Sequence, residues 1–322
     1  MAADATFAVK PGATVTFFGD VHLGDGGRND LFRGKDAMLV DALDRCARED
    51  SLVVFMGDFF DLPQAFRTRR IERAHPAVVH RIRRLCEETA VVILRGNHDW
   101  LVDYPSVFPG ASVTEELQID GLLVCHGHRF DPKANVESWR YFAAMALHTL
   151  FERAARFDFR VPVQQFDSFP NRLMHWLAHR YARLLRRTGL LEDSLRYWSR
   201  EVWGDPGSMW EPLTGHLRES RVPAIVCGHS HLPGVVDVDG HLYVNAGSWA
   251  FESAQVARWD GREFVVLDLA SGRTYGDEHY RWLLERVDPG DLFDWWRVHY
   301  LGRLRFAPQR DPREVHRIAS PR

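Results

Sequence analysis

Three short apolar runs in the first hundred residues alternate with amphipathic segments. The runs Thr14–Phe18, Leu52–Met56 and Val91–Leu94 are mainly apolar, which is typical of strands buried on both faces of a sheet. Between them, residues 35–48 and 71–87 place apolar side chains at helical spacing. This alternation of strand and helix predicts an α/β fold with a parallel sheet covered by helices.

Strand-like patterns return later in the chain. Leu122–Cys125 and Ala224–Cys227 are again short apolar runs. Two stretches of alternating residues follow, and each contains an Asp-Gly pair, at 239–240 and at 260–261. Asp-Gly between alternating runs is among the best signals for a β-hairpin. We therefore expect two hairpins after the last apolar strand.

Two regions depart from this pattern. Residues 132–220 are rich in Trp, Phe, Leu and Arg at helical spacing, and we interpret them as a helical insertion within a single domain spanning 1–322. Apolar surface with basic edges suits a lipid phosphate or a membrane surface, although a lid packed on the core fits the same pattern. Residues 277–322 predict aromatic amphipathic helices followed by a loose tail.

Composition narrows the class of protein. With 322 residues, 45% hydrophobic content and a net charge of −3, the chain is typical of a soluble globular protein, and its charge argues against nucleic acid as a partner. The four cysteines form no CxxC pair, and the N-terminal residues lack the pattern of a signal peptide. We expect a reduced, cytoplasmic protein whose membrane contact, if it has one, is peripheral and made through the insertion.

Each of the five apolar strands is followed at once by a polar cluster. The clusters read GDVH from residue 19, GDFFD from 57, GNHD from 96, CHGH from 125 and GHSH from 228. Sites in open α/β sheets form outside the carboxyl ends of the strands, so we expect the clusters to converge. Carboxylate and imidazole ligands suit Mn, Fe or Zn. The set is too large for one ion, whereas two ions about 3.5–4 Å apart would use all of it.

The five clusters are similar to the signature of the calcineurin-like metallophosphoesterase superfamily. This resemblance implies a four-layer α/β/β/α sandwich with a dinuclear metal centre. It implies that one metal is held by Asp20, His22, Asp58 and His231. It implies that the other is held by Asp58, Asn97, His126 and His229, with Asp58 bridging the two. His98 would be the catalytic histidine and Asp61 would orient it.

The implied activity is that of a hydrolase that cleaves a phosphoester or pyrophosphate bond. Two divalent cations, with manganese expected first and iron or zinc as alternatives, would neutralise the phosphate oxygens and lower the pKa of a bridging water. His98 would stabilise the developing charge or protonate the leaving oxygen. His128 could reach the substrate or lie behind the ligands, and Asp99 could serve only to pin its loop.

The substrate is the least determined feature. The insertion between the HG and GHSH motifs, followed by YVNAGSW, resembles the branch that contains UDP-2,3-diacylglucosamine diphosphatase. That branch implies a nucleotide-sugar lipid, but its members typically have Arg where this chain has His98. The wider class of partners is a phosphorylated small molecule or lipid. A nuclease or a cyclic-nucleotide phosphodiesterase on the same fold is the alternative.

Overall fold

The computed structural model describes residues 5–7, 13–27, 30–131, 134, 206–220, 222–250, 253–278 and 280. Most of the expected insertion at 132–220, and nearly all of the region 277–322, therefore lie outside the described residues. Their predicted helices and the single-domain division remain predictions. The end of the insertion is the exception, because residues 206–220 form a helix.

Seven strands form the first sheet. In spatial order they are β13 (Thr274–Tyr275), β12 (Phe264–Asp268), β11 (Gln255–Trp259), β2 (Val15–Phe18), β3 (Leu52–Phe55), β4 (Val91–Leu94) and β5 (Ser112–Thr114). The strands from β2 to β5 are parallel, as the alternation of strand and helix predicts. The hairpin strands β11 and β12 extend this sheet in antiparallel fashion.

Six strands form the second sheet. In spatial order they are β1 (Ala5–Phe7), β6 (Glu116–Ile119), β7 (Leu122–Cys125), β8 (Ala224–Cys227), β10 (His241–Asn245) and β9 (Gly234–Val238). The central strands β7 and β8 are parallel, and β9 and β10 form the predicted hairpin. Its two-residue turn places both 239 and 240 at positive φ, the conformation that favours Asp-Gly in such turns.

Helices complete the outer layers. The helices in the described parts of the chain are α1 (Asp36–Arg48), α2 (Leu62–Ala65), α3 (Thr68–Ala74), α4 (Pro76–Glu88), α5 (Tyr104–Val107) and α6 (Pro206–Ser220). The helices α1 and α4 pack on the outer face of the first sheet through residues such as Leu39 and Ile82. The helix α6 packs on the outer face of the second sheet through Met209, Leu213 and Leu217.

The core between the two sheets follows from strand alternation. In β2, Phe17 points toward the second sheet, whereas its neighbour Phe18 points toward the helices. Val124 and Val226 meet Phe17 from the second sheet within one buried cluster. Each apolar strand is thus buried on both faces, by the helices and by the other sheet. This is why its sequence is a continuous hydrophobic run. The four-layer α/β/β/α sandwich is confirmed.

One helix boundary was predicted wrongly. The pattern at 71–87 predicts one helix, but the structure has α3 and α4 with a break at His75. The residue after the break is Pro76, which has no N–H and disfavours helical geometry in the residue before it. His75 accordingly adopts φ −124° and ψ 53°, and Pro76 begins the next helix.

The four cysteines are free thiols. Cys125 and Cys227 lie side by side at the ends of β7 and β8, with their sulfur atoms 3.8 Å apart. Among the helices that the structure describes, none has the length and apolar character needed to cross a bilayer.

His75 ties the loop after β2 to the helical layer. It is buried, and its Nε2 and Nδ1 atoms lie 2.9 Å from Asp30 and 2.8 Å from Asp36. Burial lowers the pKa of an imidazole, but the bonds to Asp30 and Asp36 more than offset this and raise the pKa of His75 to about 9 from 6.5. The folded protein therefore holds this proton more tightly than the unfolded chain.

We expect this proton to make stability fall with rising pH. The stabilisation is fully present below pH 6.5 and is lost as the pH passes 9, and it amounts to roughly 2–3 kcal/mol. The measurement is urea unfolding of the wild type and of His75→Gln between pH 6 and 10. The difference in unfolding free energy between the two proteins should shrink as the pH rises. A difference that stays constant would contradict the prediction.

Candidate metal centre

The polar clusters converge where strands of both sheets end. Asp20, Asp58 and Asn97 follow β2, β3 and β4 of the first sheet, while His126 and the GHSH motif follow β7 and β8 of the second. The sequence argument from a single open sheet was therefore incomplete, because the centre lies between the ends of two stacked sheets.

One group of ligand candidates consists of Asp20, His22 and His231, with one donor atom from each lying within 4.8 Å of the others. The Nε2 atoms of His22 and His231 are 3.0 Å apart, and His231 Nε2 is 3.2 Å from Asp20 Oδ2. Asp20 and His22 are almost completely buried. This matches three of the four ligands predicted for the first metal.

A second group consists of Asp58, His126 and His229, again with donor atoms within 4.8 Å. His126 Nε2 is 3.3 Å from Asp58 Oδ2 and 3.0 Å from Asn97 Oδ1. The same Asp58 oxygen is 3.9 Å from His22 Nε2, in the first group. Asp58 therefore faces both groups, which is where a bridging carboxylate has to be.

His98 lies on the open side of these groups. Its side chain is 22% exposed, compared with 3% for Asp58. His98 Nδ1 is 3.1 Å from Asp61 Oδ1, and the same oxygen accepts a hydrogen bond from the backbone N–H of Gln64 at the start of α2. The His98 ring also meets the His22 ring edge-on at 4.8 Å. The predicted pair of His98 and Asp61 is thus in contact.

Two of the candidate ligands are oriented by groups outside the signature. His126 Nδ1 lies 2.8 Å from the carbonyl oxygen of Met56, so it donates there and turns Nε2 toward Asp58 and Asn97. His229 Nε2 lies 3.1 Å from Asp131 Oδ2, and both residues are buried. Hydrogen bonds of this kind fix the tautomer and direction of a metal-binding imidazole. Asp131 was missed in the sequence, where only its position five residues after His126 could have suggested it.

The buried carboxylates and imidazoles of the centre shift each other's pKa values. Burial raises the pKa of Asp58, but the neighbouring His126 and His98 lower it well below its usual range. Burial lowers the pKa of His126, but Asp58 and Asp20 raise it to about 10. The buried carboxylates thus attract positive charge, which bound cations supply once they displace the protons.

The donor set fits a metal pair. Asp20 Oδ1 is buried and has no hydrogen-bond partner among the described residues. His22 and His231 point ring nitrogens at each other, an arrangement that a shared cation satisfies at both nitrogens. Oxygen and imidazole donors without sulfur suit Mn, Fe or Zn.

The turns that carry the candidate ligands contain residues in left-handed backbone conformation. His22, Asp58, His229 and His231 all have positive φ values, between 47° and 63°. Such backbone is strained for residues with a side chain and clusters at functional sites. A side chain at Gly228 would overlap with the Asp20 carboxylate, so only glycine allows this close approach.

The sequence left the roles of Asp99 and His128 open. Asp99 is fully buried behind the ligands, and His128 is half-buried beside His126. Asp99 accepts hydrogen bonds from the backbone of Gly96 and Phe59 and from the Tyr104 hydroxyl, at 2.7, 2.8 and 2.6 Å. It therefore links the second and third motifs. The His128 ring packs 5.3 Å from that of His126. Burial, together with the neighbouring histidines, lowers the pKa of His128 to about 3, so it is neutral.

Asn245 is a second residue that sequence reasoning missed. Its Nδ2 donates to the Gly228 carbonyl oxygen at 2.7 Å and lies 3.0 Å from Ser230 Oγ, so it holds the GHSH turn. Asn245 belongs to the YVNAGSW stretch, which the sequence analysis used only as a sign of resemblance.

The sandwich and its metal-ligand groups define a metal-dependent phosphoesterase. The family model for the calcineurin-like phosphoesterases matches residues 13–233, which is more than half of the chain. The chain belongs to this family.

Several solved structures are similar to this chain, two of them over about four-fifths of its length. A dimetal phosphatase from Danio rerio is 14% identical, with 80% of this chain and 96% of that one covered and a TM-score of 0.37. An archaeal phosphodiesterase is 11% identical, with 79% and 99% covered and a TM-score of 0.34. The Pseudomonas putida nuclease MPE is 23% identical, with 38% and 52% covered and a TM-score of 0.25.

Among curated proteins, an RNA2 polyprotein of Broad bean wilt virus 2 is 39% identical over 56 residues. The match covers 15% of this chain, and the chain spans only 5% of the length of that polyprotein.

We expect Asp131→Ala to weaken metal binding by about 10- to 100-fold, because His229 loses the carboxylate that orients it. Asp131→Asn keeps an oxygen acceptor and should retain most of the affinity. Free Mn²⁺ measured by electron paramagnetic resonance during a titration gives the dissociation constants. The control is Asp41→Ala, which removes an exposed carboxylate from α1. Equal affinities of Asp131→Ala and wild type would refute the role of Asp131.

Proposed function

We propose that this chain hydrolyses a phosphoester or pyrophosphate bond by means of two divalent cations. The proposed ligands are Asp20, His22, Asp58 and His231 for one cation, and Asp58, Asn97, His126 and His229 for the other. The observation that carries the proposal is the position of Asp58, whose Oδ2 atom lies between His22 and His126 at 3.9 and 3.3 Å. His98 then stands at the exposed edge of the pair.

The residues divide the chemistry between them. Bound cations would neutralise the phosphate oxygens and activate water for an in-line attack. Asp61 holds Nδ1 of His98, which directs the other ring nitrogen away from Asp61. Burial lowers the pKa of His98, but Asp58 and Asp61 raise it to about 9, so these carboxylates favour the protonated ring. A protonated His98 can donate to the leaving oxygen.

We further propose manganese as the native metal, since the donors are carboxylate, amide and imidazole groups and the ligand groups contain no cysteine among the described residues. Iron and zinc accept the same donors. Metal analysis of protein purified without added metal tests this choice. Two equivalents of manganese support it, and two equivalents of another metal overturn it.

The first substrate that we propose is a nucleotide-sugar lipid such as UDP-2,3-diacylglucosamine, cleaved by a cytoplasmic enzyme. The support is the aromatic and arginine-rich pattern of residues 132–220 and the YVNAGSW stretch. The same insertion would provide the peripheral membrane contact. His98, where that branch typically has Arg, favours a second candidate, a nuclease or a cyclic-nucleotide phosphodiesterase.

A substrate panel separates these candidates. The panel contains the nucleotide-sugar lipid, a cyclic nucleotide, single-stranded DNA and bis(p-nitrophenyl) phosphate, each with added manganese. Cleavage of the lipid but not of DNA supports the first candidate. Cleavage of DNA or of the cyclic nucleotide without the lipid supports the second. No cleavage of any diester or pyrophosphate would refute the proposed function.

We expect His98→Ala to lower kcat by about 10²- to 10⁴-fold while leaving the metal content unchanged. The substitution removes the proton donor, but the backbone N–H of residue 98, which donates to Asp58 Oδ1 at 2.7 Å, is kept. Turnover of bis(p-nitrophenyl) phosphate and metal analysis of the same sample test this. His80→Ala, which removes an exposed histidine from α4, is the control. Loss of metal in His98→Ala would show that His98 is a ligand instead.

A further inference from the structure

Basic charge is concentrated in one short stretch that follows Asp61 and the helix α2. Residues 66–84 contain seven arginines and a single acidic residue, although the whole chain carries a net charge of −3. The later three arginines of this stretch form ion pairs with Asp44, Glu72 and Glu88. The exposed arginines at 67, 69, 70 and 73 form no ion pair with a described residue. This cationic surface is therefore available to an anionic partner.

Phe66 stands directly before these arginines. Its side chain is 47% exposed, and its φ of 61° lies in the left-handed region that favours glycine. The position ends α2, where glycine is the usual residue. The chain thus carries an exposed aromatic ring here at a conformational cost, and such costs are concentrated at functional positions.

A second exposed apolar side chain lies on the other segment that borders the site. Leu101 is 61% exposed and lies three residues after His98. Its loop is held in place, because Arg95 Nη1 donates to the carbonyl oxygens of Trp100 and Val102 at 3.0 and 2.9 Å. Leu101 is therefore presented outward by a pinned turn.

The two segments start from one hydrogen bond at the metal centre. Asp61, which accepts from His98, begins the short helix that leads to Phe66, and His98 begins the turn that leads to Leu101. The end of α3 also packs near the loop after His22, where Ala74 Cβ lies 3.2 Å from the position of a Cβ on Gly26. The segment with Phe66 and the arginines and the segment with Leu101 thus both begin at the contact between Asp61 and His98.

We propose that Phe66, Leu101 and the arginines at 67, 69, 70 and 73, which we call the basic rim, dock onto a bilayer that contains anionic phospholipid. Arginines attract lipid phosphates, while exposed Phe and Leu side chains enter the boundary between headgroups and acyl chains. A polyanion such as DNA would use the arginines but would gain nothing from Leu101. The proposal does not depend on phosphoester hydrolysis.

The test is sedimentation of the full chain with vesicles, in a buffer without added divalent cations. We expect vesicles of phosphatidylcholine with about one-third phosphatidylglycerol to bind at least tenfold more tightly than pure phosphatidylcholine. Arg69→Gln/Arg70→Gln should weaken binding about tenfold or more, since each arginine contributes about fivefold. Phe66→Gly should weaken binding at least about fivefold, and it relieves backbone strain, so the protein should remain folded.

Variants on the hairpin of β11 and β12, where Arg258 is ion-paired with Glu49, provide the controls. Arg258→Gln/Arg262→Gln removes two arginines, and Val265→Ala shortens an apolar side chain that is 46% exposed. Both control proteins should bind vesicles like the wild type. If rim and control variants weakened vesicle binding equally, the binding would depend on the overall charge of the protein. This result would overturn the proposal. Failure to prefer anionic vesicles, or tighter binding of DNA through the same arginines, would also overturn it.

Hydrolysis of bis(p-nitrophenyl) phosphate by the same variants separates this proposal from the proposed function. The rim variants should turn over this soluble diester at the wild-type rate. Protein that cleaves the diester but ignores anionic vesicles refutes only the basic rim. Protein that binds the vesicles through the rim but cleaves no phosphoester refutes only the proposed function.

Discussion

The burial of two carboxylates between the ends of two sheets is the constraint on which the rest of the centre depends. Asp20 accepts a hydrogen bond from the backbone of His229, and Asp58 accepts one from the backbone of His98. Each carboxylate thereby holds a loop that is distant in sequence. Buried charge is costly unless it is paired, so these residues also require the surrounding imidazoles and, in the family, metal ions. The same negative charge that assembles the loops creates the affinity for cations.

The packing of the two sheets offsets the conformational strain of the ligand turns. Four of the ligand candidates sit in left-handed backbone, and their strain must be offset elsewhere. The offset comes from apolar clusters on both faces of the strands, such as the one around Phe17 and Val226. Asp99 and Asn245 then fix the turns from behind. The packed layers stabilise the fold, whereas the turns at the strand ends position the ligand side chains.

Local patterns in the sequence predicted the apolar strands, the hairpins and the metal-ligand candidates because these depend on neighbouring residues, whereas β1, β5, β6 and β13 were not predicted. Buried strands are short apolar runs, and the turns that follow need glycine beside a polar ligand. The missed features depend on distant contacts. Asp131 meets His229 across 98 positions, and apart from its closeness to His126 nothing in the local sequence indicates this. The break at His75 was visible in Pro76, but the helical spacing on both sides concealed it. The placement of β7 and β8 in a second sheet followed from the resemblance alone.

The side-by-side thiols of Cys125 and Cys227 have a consequence for metal selectivity. Each precedes a metal-binding motif, yet both side chains belong to the apolar cluster beneath α6. Because successive side chains of a strand point to opposite faces, the Cys125 sulfur is turned away from the adjacent His126 imidazole, and Cys227 lies in the same apolar cluster. A thiophilic ion such as Cu(I) therefore finds only nitrogen and oxygen in the described ligand groups. The two-residue period of the β-strand thus discriminates between soft and borderline ions.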